Sequence, residues 1–144
     1  MEYLGNKEIL KNYKIGFLCS RRVPPDIILK TYDWAIEQRD KGVCIISGFH
    51  STIEKDVFHF LLKGSQPIIL VLARGMKKQW EKEIFSEICK NRLLIVTPFS
   101  NKIIRPTIKT TIERNKFIKK LADELYIPYS MPGGNLEKVL RNHL

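Results

Sequence analysis

An α/β domain is what this sequence predicts: a three-layer sandwich with a mostly parallel sheet of about five strands and helices on both faces. Two observations carry it. Short runs that are apolar at nearly every position recur along the chain, and each is followed by a longer stretch whose apolar residues have helical spacing. Strands apolar on both sides belong inside a covered sheet, and parallel neighbours need helical crossovers between them. The length agrees, since 144 residues suit one domain over the whole chain, with no repeat, linker or low-complexity segment.

Each element has its own signal. Lys14-Ile15-Gly16-Phe17-Leu18-Cys19 reads as the first buried strand. Pro25 suits a first helical turn, where its missing N–H is harmless, so a helix is predicted from there to Lys41, closed by Gly42. Val43 to Ile46 is the second strand. Ser51 or Thr52 caps the next helix, with Glu54 as first-turn carboxylate and Gly64 at its end. Pro67 to Leu72 is the third strand. Trp80, Ile84, Phe85 and Ile88 share a face and predict a helix over about residues 77–90. Leu93 to Val96 is the fourth strand, followed by an irregular polar stretch to Thr107. Ile112, Phe117, Ile118, Leu121 and Leu125 form the inner face of a helix predicted from Ile108 to Leu125. Leu125 to Tyr129 is a fifth strand that Pro128 confines to an edge, and Leu136 to Leu144 a short last helix.

Composition narrows the function. Lys and Arg number 25 against 15 Asp and Glu, a formal charge of +10, which points to an anionic partner with nucleic acid as the default. No apolar run is long enough for a membrane span, and the first residues lack the basic start and apolar core of a signal peptide. A soluble, cytoplasmic protein with no membrane contact is expected. The three cysteines, Cys19, Cys44 and Cys89, are odd in number and widely spaced, which argues against a disulfide framework or a zinc site. Neither a Gly-x-Gly-x-x-Gly fingerprint nor a Walker A loop is present, so no cofactor and no metal are expected.

In an open parallel sheet the ligand sits beyond the carboxyl ends of the strands. The residues just past the strands are therefore the candidates: Ser20, Arg21 and Arg22 after the first, Ser47, Gly48, Phe49 and His50 after the second, Thr97 after the fourth, and Gly133, Gly134 and Asn135 after the fifth. Hydroxyls, arginines, glycines and helix N-termini suit phosphate. No carboxylate interrupts the first two loops until Glu54. Lys102, Arg105, Lys109, Arg114, Lys116, Lys119 and Lys120 add a basic window late in the chain. A single-strand site also needs rings for bases to stack on, and Phe49 and Phe99 are candidates, or else partly buried loop anchors.

At these loops the sequence resembles the DNA-processing protein A (DprA/Smf) family. Cys19-Ser20-Arg21 stands where the family has Gly-Ser-Arg, and Ser47-Gly48-Phe49-His50-Ser51-Thr52-Ile53-Glu54 where it has Ser-Gly-x-Ala-x-Gly-Ile-Asp. Arg114-Asn115-Lys116 stands for Arg-Asn-Arg, and Gly133-Gly134-Asn135-Leu136 falls at its later small-residue loop. The resemblance runs from Lys14 to Leu144 and implies a Rossmann-like fold, binding of single-stranded DNA, assistance to a RecA-type recombinase and homodimerisation. It implies no DNA cleavage or synthesis. The expected phosphate pocket comprises Ser20, Arg21, Ser47, Gly48, Arg114, Asn115, Gly133 and Gly134, with Arg22, Lys102, Arg105 and Lys116 extending a basic track. A nucleotide-sensing module of the same superfamily is the alternative, on the same pocket. The lysine-decarboxylase-like (LOG) phosphoribohydrolases are also similar at Pro132-Gly133-Gly134, but here Asn135-Leu136-Glu137 replaces their Gly-Thr and spaced Glu.

Overall fold

A computed structural model describes residues 1–141; the end of the last predicted helix, with His143, lies outside them. The chain forms six strands, β1 (Glu2–Leu4), β2 (Lys14–Phe17), β3 (Cys44–Ser47), β4 (Ile68–Val71), β5 (Leu93–Thr97) and β6 (Glu124–Tyr126). Five helices accompany them, α1 (Pro25–Lys41), α2 (Thr52–Leu62), α3 (Lys82–Cys89), α4 (Ile108–Leu121) and α5 (Asn135–Arg141). The strand order is β1-β5-β4-β3-β2-β6. All pairings are parallel except β1 with β5.

Register explains the two-faced core. Ile15, Ile45, Ile68 and Leu93 stand opposite one another across four strands, and all point into the layer under α1, α2 and α3. The residues one step on, Ile46, Ile69 and Leu94, point into the other layer with α4 and α5. A side-chain period of two puts every second residue of an all-apolar strand on the opposite face, so both layers fill from the same four segments. This is the predicted three-layer sandwich.

The chain steps from β2 out to β5 in one direction, then returns through α4 to lay β6 on the other side of β2. That reversal opens a crevice at the carboxyl ends of β2, β3 and β6, the usual ligand position in such sheets.

The structure differs from the expected elements in four places. The sheet gains β1, and a 3-10 helix Lys7–Lys11 follows it. α3 starts at Lys82 rather than near 77, because Trp80 reaches the core from an irregular segment and needs no helix to do so. α4 stops at Leu121, where Ala122 turns extended and Asp123 meets Lys14: the Lys14 N–H donates to Asp123 Oδ2 at 2.7 Å and the Asp123 N–H to Lys14 O at 2.8 Å. The last residues of the expected helix thus become β6, which lies at the sheet edge and ends before Pro128. Among the described residues no helix is long and apolar enough to cross a membrane.

Candidate nucleic-acid interface

A cavity of about 650 Å³ lies at the crevice, walled by the loops after β2 and β3, the start of α4 and the segment around Met131. It brings together eight of the expected residues: Ser20, Arg21 and Arg22 from one loop, His50 from the next, Arg114 and Asn115 from α4, and Gly134 and Asn135 at α5. Its volume is that of a small-ligand site, enough for a nucleotide unit or a short piece of strand.

Arg114 is the centre of the site. It is 3% exposed, yet it enters no ion pair among the described residues. Its Nε donates to Asn115 Oδ1 at 2.9 Å, and its two terminal nitrogens make no hydrogen bond among the described residues. Burial pushes its pKa down, and the Glu54 carboxylate partly counters this. An arginine nevertheless stays charged, so an unpaired guanidinium faces the cavity. Burying a charge without a partner is costly, and an anion in the cavity would relieve the cost.

Gly48 is what lets the guanidinium lie there. A Cβ at this position would collide with the Arg114 guanidinium carbon and with two of its three nitrogens, Nη1 and Nε. The Arg114 guanidinium fills the space that Gly48 leaves open.

Several other expected contacts are redirected inward. Ser47 Oγ donates to Phe17 O at 2.8 Å and accepts from the Phe49 N–H at 3.3 Å, so it ties two strand ends together inside the protein. Phe49 is 5% exposed and stacks on Phe58 with ring centroids 4.5 Å apart, while Phe99 is 8% exposed. Neither ring can receive a base; both anchor their loops. Thr97 is fully buried, donating to Arg74 O and accepting from the Phe99 N–H. Gly133, Arg105 and Lys116 are exposed but do not wall the cavity.

Helix N-termini were expected to supply free N–H groups. At α2 a capping box occupies part of that set: Glu54 Oε1 accepts from the N–H groups of His50 and Ser51, both at 3.0 Å, while Ser51 Oγ accepts from the Glu54 N–H at 3.4 Å. Glu137 accepts from the Gly133 N–H at 2.8 Å in the same manner before α5. The full positive charges on the cavity wall are the guanidinium groups of Arg21, Arg22 and Arg114. The cavity walls also include residues the sequence reading passed over, notably Thr107, Ile108, Thr111 and Met131. Their signal was faint, because a hydroxyl and an isoleucine at a helix start look like ordinary capping and packing.

The ion pairs sharpen the charge asymmetry. Lys14, Arg39, Lys41, Lys90 and Arg92, at the amino edge of the sheet, are all paired with carboxylates. None of the ion pairs involves Arg21, Arg22, Arg74, Lys77, Lys78, Lys102, Arg105 or Arg114 at the carboxyl edge.

His50 makes the site pH-sensitive. Burial, then repulsion from Arg114, holds its pKa below the ordinary 6.5. It is neutral at about pH 7, and a phosphate nearby favours the imidazolium, so anion binding takes up a proton. Affinity for a phosphate-bearing ligand should rise several-fold between about pH 7 and about pH 5.5. In His50→Gln that rise should shrink markedly, which binding titrations at matched ionic strength will read.

The fold is that of a Rossmann-like α/β domain with an arginine-lined cavity at its topological switch point. The sequence matches the DNA recombination-mediator protein A family over residues 1–136, and the chain belongs to that family. No curated protein matches the sequence. Two solved structures share the fold: DNA processing protein A from Helicobacter pylori, whose structure concerns its single-stranded DNA binding mode (TM-score 0.76, 20% identity), and DNA processing protein A from Streptococcus pneumoniae (TM-score 0.73, 18% identity). Each covers 96% of this chain, which spans 64% of the first and 50% of the second.

Proposed function

We propose that this domain binds single-stranded DNA, as the Helicobacter pylori protein does, with a backbone phosphate held by Arg114 and flanked by Arg21, Arg22, Ser20 and Asn115. The observation that carries the reading is the buried, unpaired Arg114 guanidinium facing a cavity at the topological switch point. Its role is in DNA processing and recombination, handing the strand to a RecA-type recombinase, and it works as a homodimer. Bases meet aliphatic rather than aromatic surface here: Ile108 and Met131, 68% and 41% exposed, stand at the cavity rim.

A second reading is a nucleotide sensor, favoured by the compact cavity. The phosphoribohydrolase reading lacks a disposable carboxylate. Glu54, the one carboxylate on the cavity wall, already holds two backbone N–H groups, and Glu137 holds Gly133 and Arg141.

Fluorescence anisotropy with labelled oligo-dT tests the proposal, with mononucleotide and duplex as competitors. Tight binding that weakens steeply with salt, and that mononucleotide competes for poorly, supports the strand reading. No oligonucleotide binding, together with a melting temperature raised by a mononucleotide, would replace it with the sensor.

A further inference from the structure

A second basic concavity, of about 900 Å³ and more open than the first, lies farther along the carboxyl edge, where the loops after β4 and β5 meet β1. Its walls carry Arg74, Lys77 and Lys78, against the single carboxylate of Glu2. None of the three cations is in an ion pair among the described residues. From these features we infer that this groove is a second contact for the phosphate backbone, carrying the strand out of the Arg114 cavity and across the sheet edge to β1. The inference rests on the single-strand reading above and gives it a path and a direction.

The groove is built rather than incidental. Thr97, buried at the end of β5, donates its hydroxyl to Arg74 O, and the Gly75 N–H donates to Ile103 O at 2.8 Å. Gly75 permits this approach, since a Cβ there would collide with the Ser100 carbonyl oxygen. The two loops are thereby locked together with Arg74 in a fixed place, its Nε donating to Gly75 O at 3.0 Å. The Lys77 ammonium sits 4.9 Å from the centroid of the Trp80 ring, which steadies it without neutralising it. Lys78 is exposed.

One loop joins the two concavities. Asn101 and Ile104 wall the second, Pro106 and Thr107 wall the first, and Arg105 lies between them, exposed and without an ion pair. The first sits over β2 and β3 and the second over β4 and β5, two strand spacings or roughly 10 Å along the edge. A strand seated on Arg114 therefore reaches Arg74 after a few nucleotides.

The test compares a thymidine dinucleotide, too short to span both concavities, with oligo-dT of about 16 nucleotides, the upper end of single-strand site sizes, on wild type and on the variant Arg74→Ala/Lys77→Ala/Lys78→Ala. The long oligonucleotide should lose roughly tenfold in affinity, and its log–log salt slope should fall by about 2, at about 0.7 per lost phosphate contact. The short one, held by the first cavity, should bind as before. A variant with Lys11, Lys41 and Lys63 changed to Ala, equal in charge but at the other sheet edge, should leave both unchanged. Lys77→Glu/Lys78→Glu, which spares the Arg74 loop, should reproduce the loss. An unchanged long-oligonucleotide affinity and slope in both groove variants, with binding still dependent on Arg114, would overturn the groove and spare the cavity. If the amino-edge variant loses as much as the groove variant, the effect is bulk charge and the groove falls. If wild type binds neither oligonucleotide, the single-strand reading fails and the groove falls with it.

Discussion

Arg114→Ala should weaken binding of single-stranded DNA by about 10- to 100-fold, because a charge-assisted hydrogen bond is worth about 1.5–3 kcal/mol. The melting temperature should change little. The guanidinium hydrogen-bonds only to its neighbour Asn115 among the described residues, so its removal breaks no long-range hydrogen bond, and it also removes an unpaired buried charge. Binding and folding thus separate cleanly at this residue. Arg114→Lys should fall between wild type and alanine, since an ammonium keeps the charge but cannot fork onto two phosphate oxygens. Gly48→Ala should lose binding as well, by displacing the guanidinium from the space that glycine leaves open. Anisotropy and thermal melts on these variants read both quantities. Wild-type affinity in folded Arg114→Ala would remove the residue from the site.

Arg92→Leu should be the most damaging change to stability. Arg92 is 7% exposed and holds together the end of α2, the turn before β4 and α3. Its Nη1 donates to Leu62 O at 2.9 Å and Glu87 Oε1 at 2.8 Å, its Nη2 to Leu61 O at 2.9 Å, and its Nε to Gln66 O at 2.9 Å. Removing Arg92 leaves three backbone carbonyls without their donor and Glu87 with Lys90 as its remaining cation, and breaking a buried pair from one side costs about 3–5 kcal/mol. A domain of this kind has only about 5–15 kcal/mol in total, so a fall in melting temperature of about 6 to 20 °C follows. The pH dependence carries the same signature. Burial pulls the Glu87 carboxyl up, but hydrogen bonds from Arg92 and Lys90 outweigh it and leave the group below its ordinary pKa of 4.5. A depressed carboxyl contributes stability that is full above that value and lost as pH falls through the folded one. In Arg92→Leu the Glu87 carboxyl loses its main hydrogen bond while its burial remains, so this acid-side loss should shrink, which urea melts across the acid range will show.

Residue patterning made the central sheet legible. Four all-apolar runs could only be buried parallel strands, and they are β2 to β5. Where a three-residue strand such as β1 is recruited, no local pattern marks it, since its pairing is decided by the exposed edge of β5. The same holds for β6: its first residues read as helix until Lys14 claims Asp123 across the fold. In the site, chemical type was legible and direction was not. Arginines and hydroxyls at strand ends announced an anion, and Ser20, Arg21, His50 and Arg114 do converge on one cavity. But Ser47, Phe49 and Thr97 sit in the same kind of loop and turn inward, because the strand ends they close must satisfy their own backbone groups. Glu54 capping α2 likewise depends on which N–H groups the loop leaves free.

The central claim is that the strand lies on the carboxyl edge of the sheet, over Arg114. Amide chemical-shift mapping by NMR, with a short oligo-dT added to the labelled domain, tests it most directly. The account predicts shifts at Ser20, Arg21, His50, Asn115 and Gly134, with Lys14, Gly42 and Arg92 at the opposite edge unmoved. Shifts concentrated around Lys14 and Arg92, with the cavity amides silent at saturation, would contradict it.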